Sequence, residues 1–181
     1  MASYCDYCNT HPEDTFNKTY HDTEYGFPLK DDNLLFERFI LEINQAGLSW
    51  ITILKKDDNF RTAYDGFEIE RIANYGENDV ARLLADAGII RNRLKINAAI
   101  VNAQRILELR KEHGSFKGWL DTNRKLSKEE WIKLFKKTFI FTGGEIVKEF
   151  LMSKGYLAGA HDEGCHIYRK VASLRPAWSH D

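Results

Sequence analysis

The sequence has little proline, and none of its three prolines lies between Phe36 and Ser173. It also lacks a sustained alternation of apolar and polar residues, which is the pattern of a half-buried strand. Internal repeats, low-complexity stretches and linkers rich in proline or serine are absent as well. These absences argue against a β-rich fold and against a string of linked domains. We therefore expect one all-α domain over residues 1–181, in which residues 171–181 form a loose tail.

Long apolar runs are missing too, and none approaches the ~20 residues that a membrane span needs. Residues 1–12 are polar and lack the basic start and apolar block of a secretory signal. The three cysteines are an odd number, which argues against a framework of disulfides. We therefore expect a cytoplasmic protein without a membrane partner, in which the cysteines are inert or bind a metal.

An excess of charge of one sign is also absent, because 26 lysines and arginines stand against 27 aspartates and glutamates. The net charge of −1 excludes attraction of nucleic acid by the molecule as a whole, so DNA binding would need local basic patches. The chain does have 43% hydrophobic and 29% charged residues over 181 positions, which suits a folded domain with its own core.

Apolar residues at helical spacing, together with capping residues, predict the helices. The first clear helix begins at Asp31 or Asp32 and ends near Gly47. Its core-facing positions are Phe36, Phe39, Ile40 and Ile43. Further helices are predicted over residues 49–54, 79–86, 92–112, 127–137 and 142–155, and the last two open with the spacing of a capping box at Ser127–Glu130 and Thr142–Glu145.

One acidic residue lies on an apolar helix face. Leu35, Phe39, Glu42 and Ala46 stand at i, i+4, i+7 and i+11, which places them on a single stripe of the helix. Burying a carboxylate there is costly without a partner. Two interpretations stay open. Either the stripe lies at the helix edge and Glu42 meets solvent or an arginine, or Glu42 lies in an apolar pocket that receives a cationic or proton-donating ligand.

The N-terminal segment is dense in aromatic residues. Such residues could line a pocket that stacks a planar base, and a positively charged base would gain about 0.5–2 kcal/mol from the ring faces. Ordinary core packing is the alternative, and it suits the phenylalanines best, because tyrosine and tryptophan carry polar groups that suit a pocket. The residues concerned are Tyr4, Tyr7, Phe16, Tyr20, Tyr25, Phe27 and Trp50.

Cysteines and histidines lie at both ends of the chain. Zinc favours four nitrogen and sulfur ligands in a tetrahedron, and a pair from each end would clasp the termini together. Four protein ligands leave no open position, so such a metal would be structural, and a zinc hydrolase is disfavoured. The alternative is free surface histidines and buried cysteines. The set comprises Cys5, Cys8 and His21 near the start, and His161, Cys165 and His166 near the end.

Residues 131–154 contain two predicted helices joined by the turn F-I-F-T-G-G-E, an arrangement similar to a helix-hairpin-helix. Gly143 and Gly144 would expose backbone N–H groups at a helix N-terminus, a place where phosphate binds. Lys136 and Lys137 could flank the same phosphates. These four residues are therefore candidates for DNA contact, and a plain helical hairpin with solvated lysines is the alternative.

Several motifs resemble those of the bacterial DNA-3-methyladenine glycosylases of type I. They are Y-H-D-T-E-Y-G-F-P at residues 20–28, L-F-E-R-F-I-L-E-I-N-Q-A-G-L-S-W-I-T-I-L-K-K at residues 35–56 and D-A-G-I-I-R-N-R-L-K-I at residues 86–96. The strong part of the resemblance covers roughly the first 110 residues. It implies a helix-hairpin-helix glycosylase fold, almost wholly helical, in which a zinc ion ties the termini together.

The resemblance also implies roles for individual residues. The base-recognising carboxylate falls on Glu42. The zinc ligands fall on Cys5, His21, His161 and Cys165, with Cys8 as the rival of Cys5. The substrate-binding residues are Tyr7, Tyr20, Tyr25 and Trp50, and we place Asn44 with them. Tyr7 and Tyr25 stand where the family usually has tryptophan, and Asn44 where glutamine is commoner.

Together these features predict a monofunctional glycosylase of base-excision repair, which hydrolyses the N-glycosidic bond of 3-methyladenine in alkylated double-stranded DNA. The base would be flipped into the aromatic pocket, where Glu42 would accept hydrogen bonds from the purine edge. Zinc would be a structural cofactor, and no protein partner is implied. The alternative is a non-enzymatic, zinc-containing helix-hairpin-helix module that binds DNA without excising a base.

Overall fold

The computed structural model describes residues 2–180, and in this part of the chain every regular element is a helix. The predicted all-α class is therefore confirmed. No helix within these residues is long and apolar enough to cross a membrane. The helices are α1 (Tyr4–Thr10), α2 (Thr15–Thr23), α3 (Asp32–Gln45), α4 (Trp50–Leu54), α5 (Asp57–Ala63), α6 (Ile69–Ala73), α7 (Glu77–Ala85), α8 (Arg93–His113), α9 (Phe116–Thr122), α10 (Lys128–Thr138), α11 (Gly144–Ser153) and α12 (His166–Ser173), with short 3-10 helices at Asp65–Phe67 and Ala177–Ser179.

Helix α3 is the central element, and its residues 35–44 are all buried. Asp31 caps its N-terminus with a side-chain hydrogen bond, as the sequence predicts. At its other end the buried Lys95 donates from Nζ to the backbone carbonyls of Asn44 and Ala46, each at 2.7 Å. Because carbonyls at a helix C-terminus otherwise lack partners, these bonds hold the last turn of α3 in place.

Aromatic rings fasten α3 to the C-terminal half of the chain. The Phe39 ring lies 5.6 Å from that of Phe135, 5.1 Å from that of Phe139 and 5.2 Å from that of Phe150, measured between centroids. All four side chains are buried, and each such burial contributes roughly 1.5–3 kcal/mol. This packing places α10 and α11 against α3, so that their connecting turn lies beside the end of α3.

Helix α11 begins later than the Thr142–Glu145 spacing predicts. Gly143 is its N-cap, and no side chain caps it. Thr142 is instead buried, and the preceding turn is held by Asn102, which exchanges hydrogen bonds of 2.9 and 3.1 Å with the backbone of Ile140. The predicted capping box is therefore wrong, because tertiary contacts set the course of the turn.

Residues 171–180, expected to form a loose tail, make several contacts with the rest of the domain. Val171 of α12 is buried, and the backbone N–H of Trp178 donates to the Gly155 carbonyl at 3.1 Å. The Trp178 ring stacks on that of Tyr168 with centroids 6.0 Å apart. These contacts attach parts of the segment to the domain, whereas residues 173–175, 179 and 180 are exposed. Residue 181 lies outside the described residues.

Candidate active site and metal centre

A cavity of about 250 Å³ lies among α1, α2, α3, α4 and α11. Aromatic rings from the N-terminal segment, an ion pair from α3 and an acid from α11 meet there. The structure thereby brings together Tyr20, Tyr25, Glu42 and Trp50, four of the residues predicted to bind or recognise a base. The full lining is Tyr4, Tyr20, Tyr25, Arg38, Glu42, Gln45, Trp50 and Glu149.

Glu42 lies in this pocket as one half of an ion pair. Arg38, one turn earlier on α3, donates from Nη2 to Glu42 Oε1 at 2.5 Å, and the two side chains are 6% and 4% exposed. Burial raises the pKa of the Glu42 carboxyl, and the Arg38 guanidinium acts against that rise. Because arginine keeps its proton in proteins, the short contact indicates an ionised carboxylate. Glu42 therefore both lies in an aromatic pocket and meets an arginine.

Two aromatic rings pack against the arginine of the ion pair. The Arg38 guanidinium carbon lies 4.1 Å from the centroid of the Trp50 ring and 4.6 Å from that of Tyr20. The Tyr20 hydroxyl and the Trp50 indole N–H are buried without a hydrogen-bond partner among the described residues. Tyr25 completes the wall, where its hydroxyl donates to Glu149 at 3.2 Å. Since buried polar groups are seldom left unpaired, the two groups are donors that a ligand in the pocket could meet.

Two residues that were expected to bind substrate do not line the pocket. Tyr7 is 38% exposed, and its hydroxyl donates to Asp14 at 2.8 Å. Asn44 stands two residues after Glu42, and two helical steps of about 100° turn its side chain away from the pocket. There its amide donates to a backbone carbonyl of its own helix at 2.9 Å. The structure therefore does not bring Tyr7 and Asn44 to the pocket, and a role for them in substrate binding stays a prediction.

Three residues that line the pocket were not predicted from the sequence: Arg38, Gln45 and Glu149. Arg38 precedes Glu42 by four residues, a spacing at which opposite charges on a helix meet, so the sequence did contain a signal for it. Glu149 comes from a helix far away in the sequence, and no local pattern points to it. Tyr4 is the residue of α1 that lines the pocket, where Tyr7 was expected. Its ring meets that of Tyr25 edge-on, with centroids 5.6 Å apart.

A second cluster joins the two ends of the chain. Single ligand atoms of Cys5, His21, His161 and Cys165 all lie within 4.8 Å of one another, and the four residues are buried. Cys5 Sγ is 3.3 Å from His21 Nε2 and 3.6 Å from His161 Nδ1. Cys8 lies outside the group, and its thiol points to a backbone carbonyl at 3.7 Å. The predicted ligands therefore form a group that could hold a metal ion, with Cys5 rather than Cys8 as the first.

The donor set fits a tetrahedral metal site. Bonds of about 2.0–2.3 Å in a tetrahedron place the ligand atoms roughly 3.3–3.8 Å apart, and the distances from Cys5 Sγ to His21 Nε2 and to His161 Nδ1 fall in this range. His21 Nδ1 lies 2.6 Å from the Asp22 carboxylate and His161 Nε2 lies 2.6 Å from the Tyr25 carbonyl, so each histidine keeps its other nitrogen for a metal. Burial raises the pKa of the Cys5 thiol to about 12, and a divalent cation would supply the charge that ionises it.

Helices α10 and α11 form the predicted helical pair, joined by residues 139–143. The N-terminus of α11 borders a concave surface that shares Gln45 and Glu149 with the aromatic pocket. A nucleic acid lying on this turn would therefore reach the pocket. Of the residues expected to contact DNA, the exposed ones are Lys136, Lys137 and Gly143, and the half-buried one is Gly144.

Sites that receive an extruded base stack it between aromatic or apolar side chains and recognise its edge by hydrogen bonds. The pocket described here offers ring faces, a carboxylate and two unpaired donors, and the adjacent helix N-terminus offers backbone N–H groups. On an all-helical frame, these properties define the class as a helical DNA glycosylase.

Comparison with known proteins gives the family. The family described as methyladenine glycosylase matches residues 9–131. DNA-3-methyladenine glycosylase 1 of Escherichia coli (strain K12) is 36% identical over 180 residues, covering 89% of this chain and 96% of that protein. The DNA-3-methyladenine glycosylase of Haemophilus influenzae is 33% identical over 165 residues, covering 81% and 89%. The chain therefore belongs to the methyladenine glycosylase family, and the prediction of a base-excision repair enzyme is confirmed.

Solved structures agree with this assignment. A variant of 3-methyladenine DNA glycosylase I in complex with 3-methyladenine superposes with a TM-score of 0.81 at 30% identity, covering 88% of this chain and 96% of that one. The Staphylococcus aureus enzyme, described for its recognition of 3-methyladenine, superposes with a TM-score of 0.81 at 29% identity, covering 91% and 97%.

Proposed function

We propose that the protein hydrolyses the N-glycosidic bond of 3-methyladenine in alkylated double-stranded DNA. The observation that carries this proposal is the buried Glu42 carboxyl group, which lines one pocket together with Tyr20 and Trp50. Adenine methylated at N3 in DNA is a cation, which a buried carboxylate and aromatic faces both attract. Unmodified adenine is neutral and gains neither attraction, so the pocket favours the damaged base.

In the proposed reaction, the damaged nucleotide first leaves the base stack. Extrusion costs a few kcal/mol, and least for a damaged base. Glu42 then accepts hydrogen bonds from the purine edge while the bond between base and sugar breaks. Its electron pair passes to the ring nitrogen and neutralises the base, and water adds to the sugar carbon with loss of a proton. The base leaves from a cationic state, so the step needs no general acid.

A monofunctional reaction suits the composition of the pocket. A glycosylase that also cleaves the strand needs an amine beside the sugar, which attacks the sugar carbon. The described residues that line the pocket include tyrosines, acids and an arginine, but no lysine. Water is therefore the nucleophile in this proposal.

The DNA duplex in this proposal lies across the α10–α11 turn as on a helix-hairpin-helix. The backbone N–H groups of Gly143 and Gly144 face a phosphate at the N-terminus of α11, and the exposed Lys136 and Lys137 add positive charge nearby. The shared border of this turn and the base pocket supports the arrangement, because one bound duplex would contact both.

Zinc is the metal that we assign to the Cys5, His21, His161 and Cys165 group. Two sulfur and two nitrogen donors that all lie within 4.8 Å of one another suit this ion. Four protein ligands leave no position for substrate, so zinc would supply stability rather than catalysis. It would link α1 and α2 to the segment that precedes α12.

The test is release of 3-methyladenine from alkylated duplex DNA by the native protein and by E42Q. We expect E42Q to lose about 10²-fold or more, as for removal of other preorganised electrostatic groups. E37Q is the matched control, because Glu37 is buried on the same helix but pairs with Arg61 at 2.5 Å outside the pocket. Far-UV circular dichroism checks that each variant is folded.

The outcomes separate the site from the function. Full release by folded E42Q would contradict the role of Glu42 and leave the activity in place. Absence of release by the folded, zinc-loaded native protein would contradict the proposed function and favour a module that only binds DNA.

A further inference from the structure

Arg38 occupies the place in the pocket that the proposed function gives to a cationic base. Its guanidinium donates to Glu42 at 2.5 Å and lies 4.1 Å from the Trp50 centroid and 4.6 Å from the Tyr20 centroid. The side chain is 6% exposed, and its Nε has no partner among the described residues. A planar, charged, hydrogen-bond-donating group thus makes the kinds of contact that a methylated purine would need.

Arg38 and a cationic base cannot occupy this site at the same time. Two positive groups that face one carboxylate repel each other, and one ring face stacks one planar group at a time. We propose that Arg38 is a resident occupant of the base site, which gives way to the cationic base and returns once the base has lost its charge. This inference rests on the proposed function and adds to it an exchange of one cation for another.

A neighbouring cleft can receive the displaced guanidinium. Arg38 also lines a cleft of about 320 Å³ whose lining includes Glu24, Asp57 and Asp58. Glu24 lies on the surface, and the Asp58 side chain is fully exposed. An arginine that turns into this cleft meets carboxylates and water. Its displacement therefore does not leave a buried cation without a partner, which would be strongly unfavourable.

The exchange also distinguishes substrate from product. Before hydrolysis the base is positively charged and competes with Arg38 for Glu42. After hydrolysis the electron pair of the broken bond has neutralised the base, whereas Arg38 keeps its charge because a guanidinium is not deprotonated in proteins. The competition at Glu42 therefore shifts towards Arg38 when the bond breaks, and the returning side chain displaces the free base.

The first test compares calorimetric binding of free 3-methyladenine to the native protein and to R38M, in which an uncharged chain of similar length replaces the arginine. We expect the Kd to fall about tenfold or more in R38M, as for a site that is open a tenth of the time in the native protein. Arg61 offers a matched control, because it pairs with the buried Glu37 at 2.5 Å outside the pocket. R61M should bind the base like the native protein.

Turnover of alkylated duplex DNA gives a second readout of the same variant. In R38M the free base should stay bound, so the steady-state rate should fall below the rate of the first turnover by more than it does in the native protein. Equal affinity of the native protein and folded R38M for the free base would overturn the proposal. Absence of 3-methyladenine release by the native protein would instead contradict the proposed function.

A third measurement requires no excision. R38A leaves a gap that methylguanidinium should fill, so this ion should raise the Tm of R38A and compete with free 3-methyladenine for the pocket. In R61A the ion should not compete with free 3-methyladenine, because the gap that it could fill lies beside Glu37 and outside the pocket. If methylguanidinium neither stabilises folded R38A nor competes with the base, Arg38 is not an occupant of the base site.

Discussion

Replacing Glu42 with glutamine leaves the Arg38 guanidinium in the pocket without its counter-charge. The paired side chains are 6% and 4% exposed, so little solvent can compensate. Removing one partner of a buried ion pair costs about 3–5 kcal/mol when the other charge stays buried, and the cost is smaller to the extent that Arg38 turns into the cleft lined by Glu24, Asp57 and Asp58. A cost of that size in a chain of this length lowers Tm by roughly 6–20 °C. We therefore expect E42Q to be folded but clearly less stable than the native protein.

The single variants E42Q and R38M should lose different amounts of folding stability. Arg38 cannot lose its proton, and the buried Lys154 adds a second cation that interacts with Glu42. Glu42 left alone in R38M keeps that lysine nearby and can itself be protonated, because burial raises its pKa. The loss of stability in R38M should therefore be smaller than in E42Q.

The double variant R38M/E42Q tests the reasoning directly. It removes both charges, so it should recover most of the stability that E42Q loses, because replacing both partners of a buried pair is often close to neutral. The assay is urea unfolding of the zinc-loaded proteins, followed by far-UV circular dichroism. E37Q gives the comparison with a pair whose arginine is 46% exposed, and it should cost less than E42Q. If the stability losses of R38M and E42Q simply added in the double variant, the proposed coupling between the two side chains would be refuted.

The remaining predictions concern the metal, DNA binding and the pH dependence. C5S should lose the bound zinc and unfold at lower temperature. C8S should retain zinc, because the Cys8 thiol lies outside the cluster. Elemental analysis and thermal unfolding check both variants. The double variant Lys136→Ala with Lys137→Ala should weaken DNA binding, measured by fluorescence anisotropy. The slope of log K against log salt concentration should flatten by about 0.9 for each phosphate that the variant no longer neutralises. An unchanged slope would place the duplex elsewhere. Burial lowers the pKa of Lys154 to about 7. The unfolded chain therefore binds more protons between pH 7 and the ordinary lysine pKa, and stability should rise with pH in that window by up to about 1.4 kcal/mol per unit. Urea unfolding of K154M should lack this rise.

Local signals explain the parts of the fold that were predictable. The Ser127–Glu130 capping box is present at the start of α10, and Asn92 caps α8, which ends at Gly114 with a φ of +77°. Each of these helix caps depends on groups within a few residues of one another, so the local sequence pattern predicts it correctly. Several helices of five to nine residues, including α1, α5 and α12, were not predicted. Helices this short form only when packing stabilises them.

The motif at residues 35–56 identified both the family and the acid Glu42, because a charged residue on an apolar stripe stands out within the sequence itself. The same stripe did not show that Glu42 is already paired. The spacing of Arg38 allowed that contact, but only the packing of Tyr20 and Trp50 over the guanidinium decided that it is buried.

Composition, periodicity and local motifs were enough to predict the helical class, the family and the two residue types, cysteine and histidine, of the metal cluster. Which residues share a site depends instead on contacts between segments that are distant in the sequence. The tertiary structure placed Cys5 rather than Cys8 beside the distant His161 and turned Tyr4 rather than Tyr7 into the pocket. Neighbouring positions on a helix differ by about 100° in direction, and the face that is buried depends on segments far away in the chain.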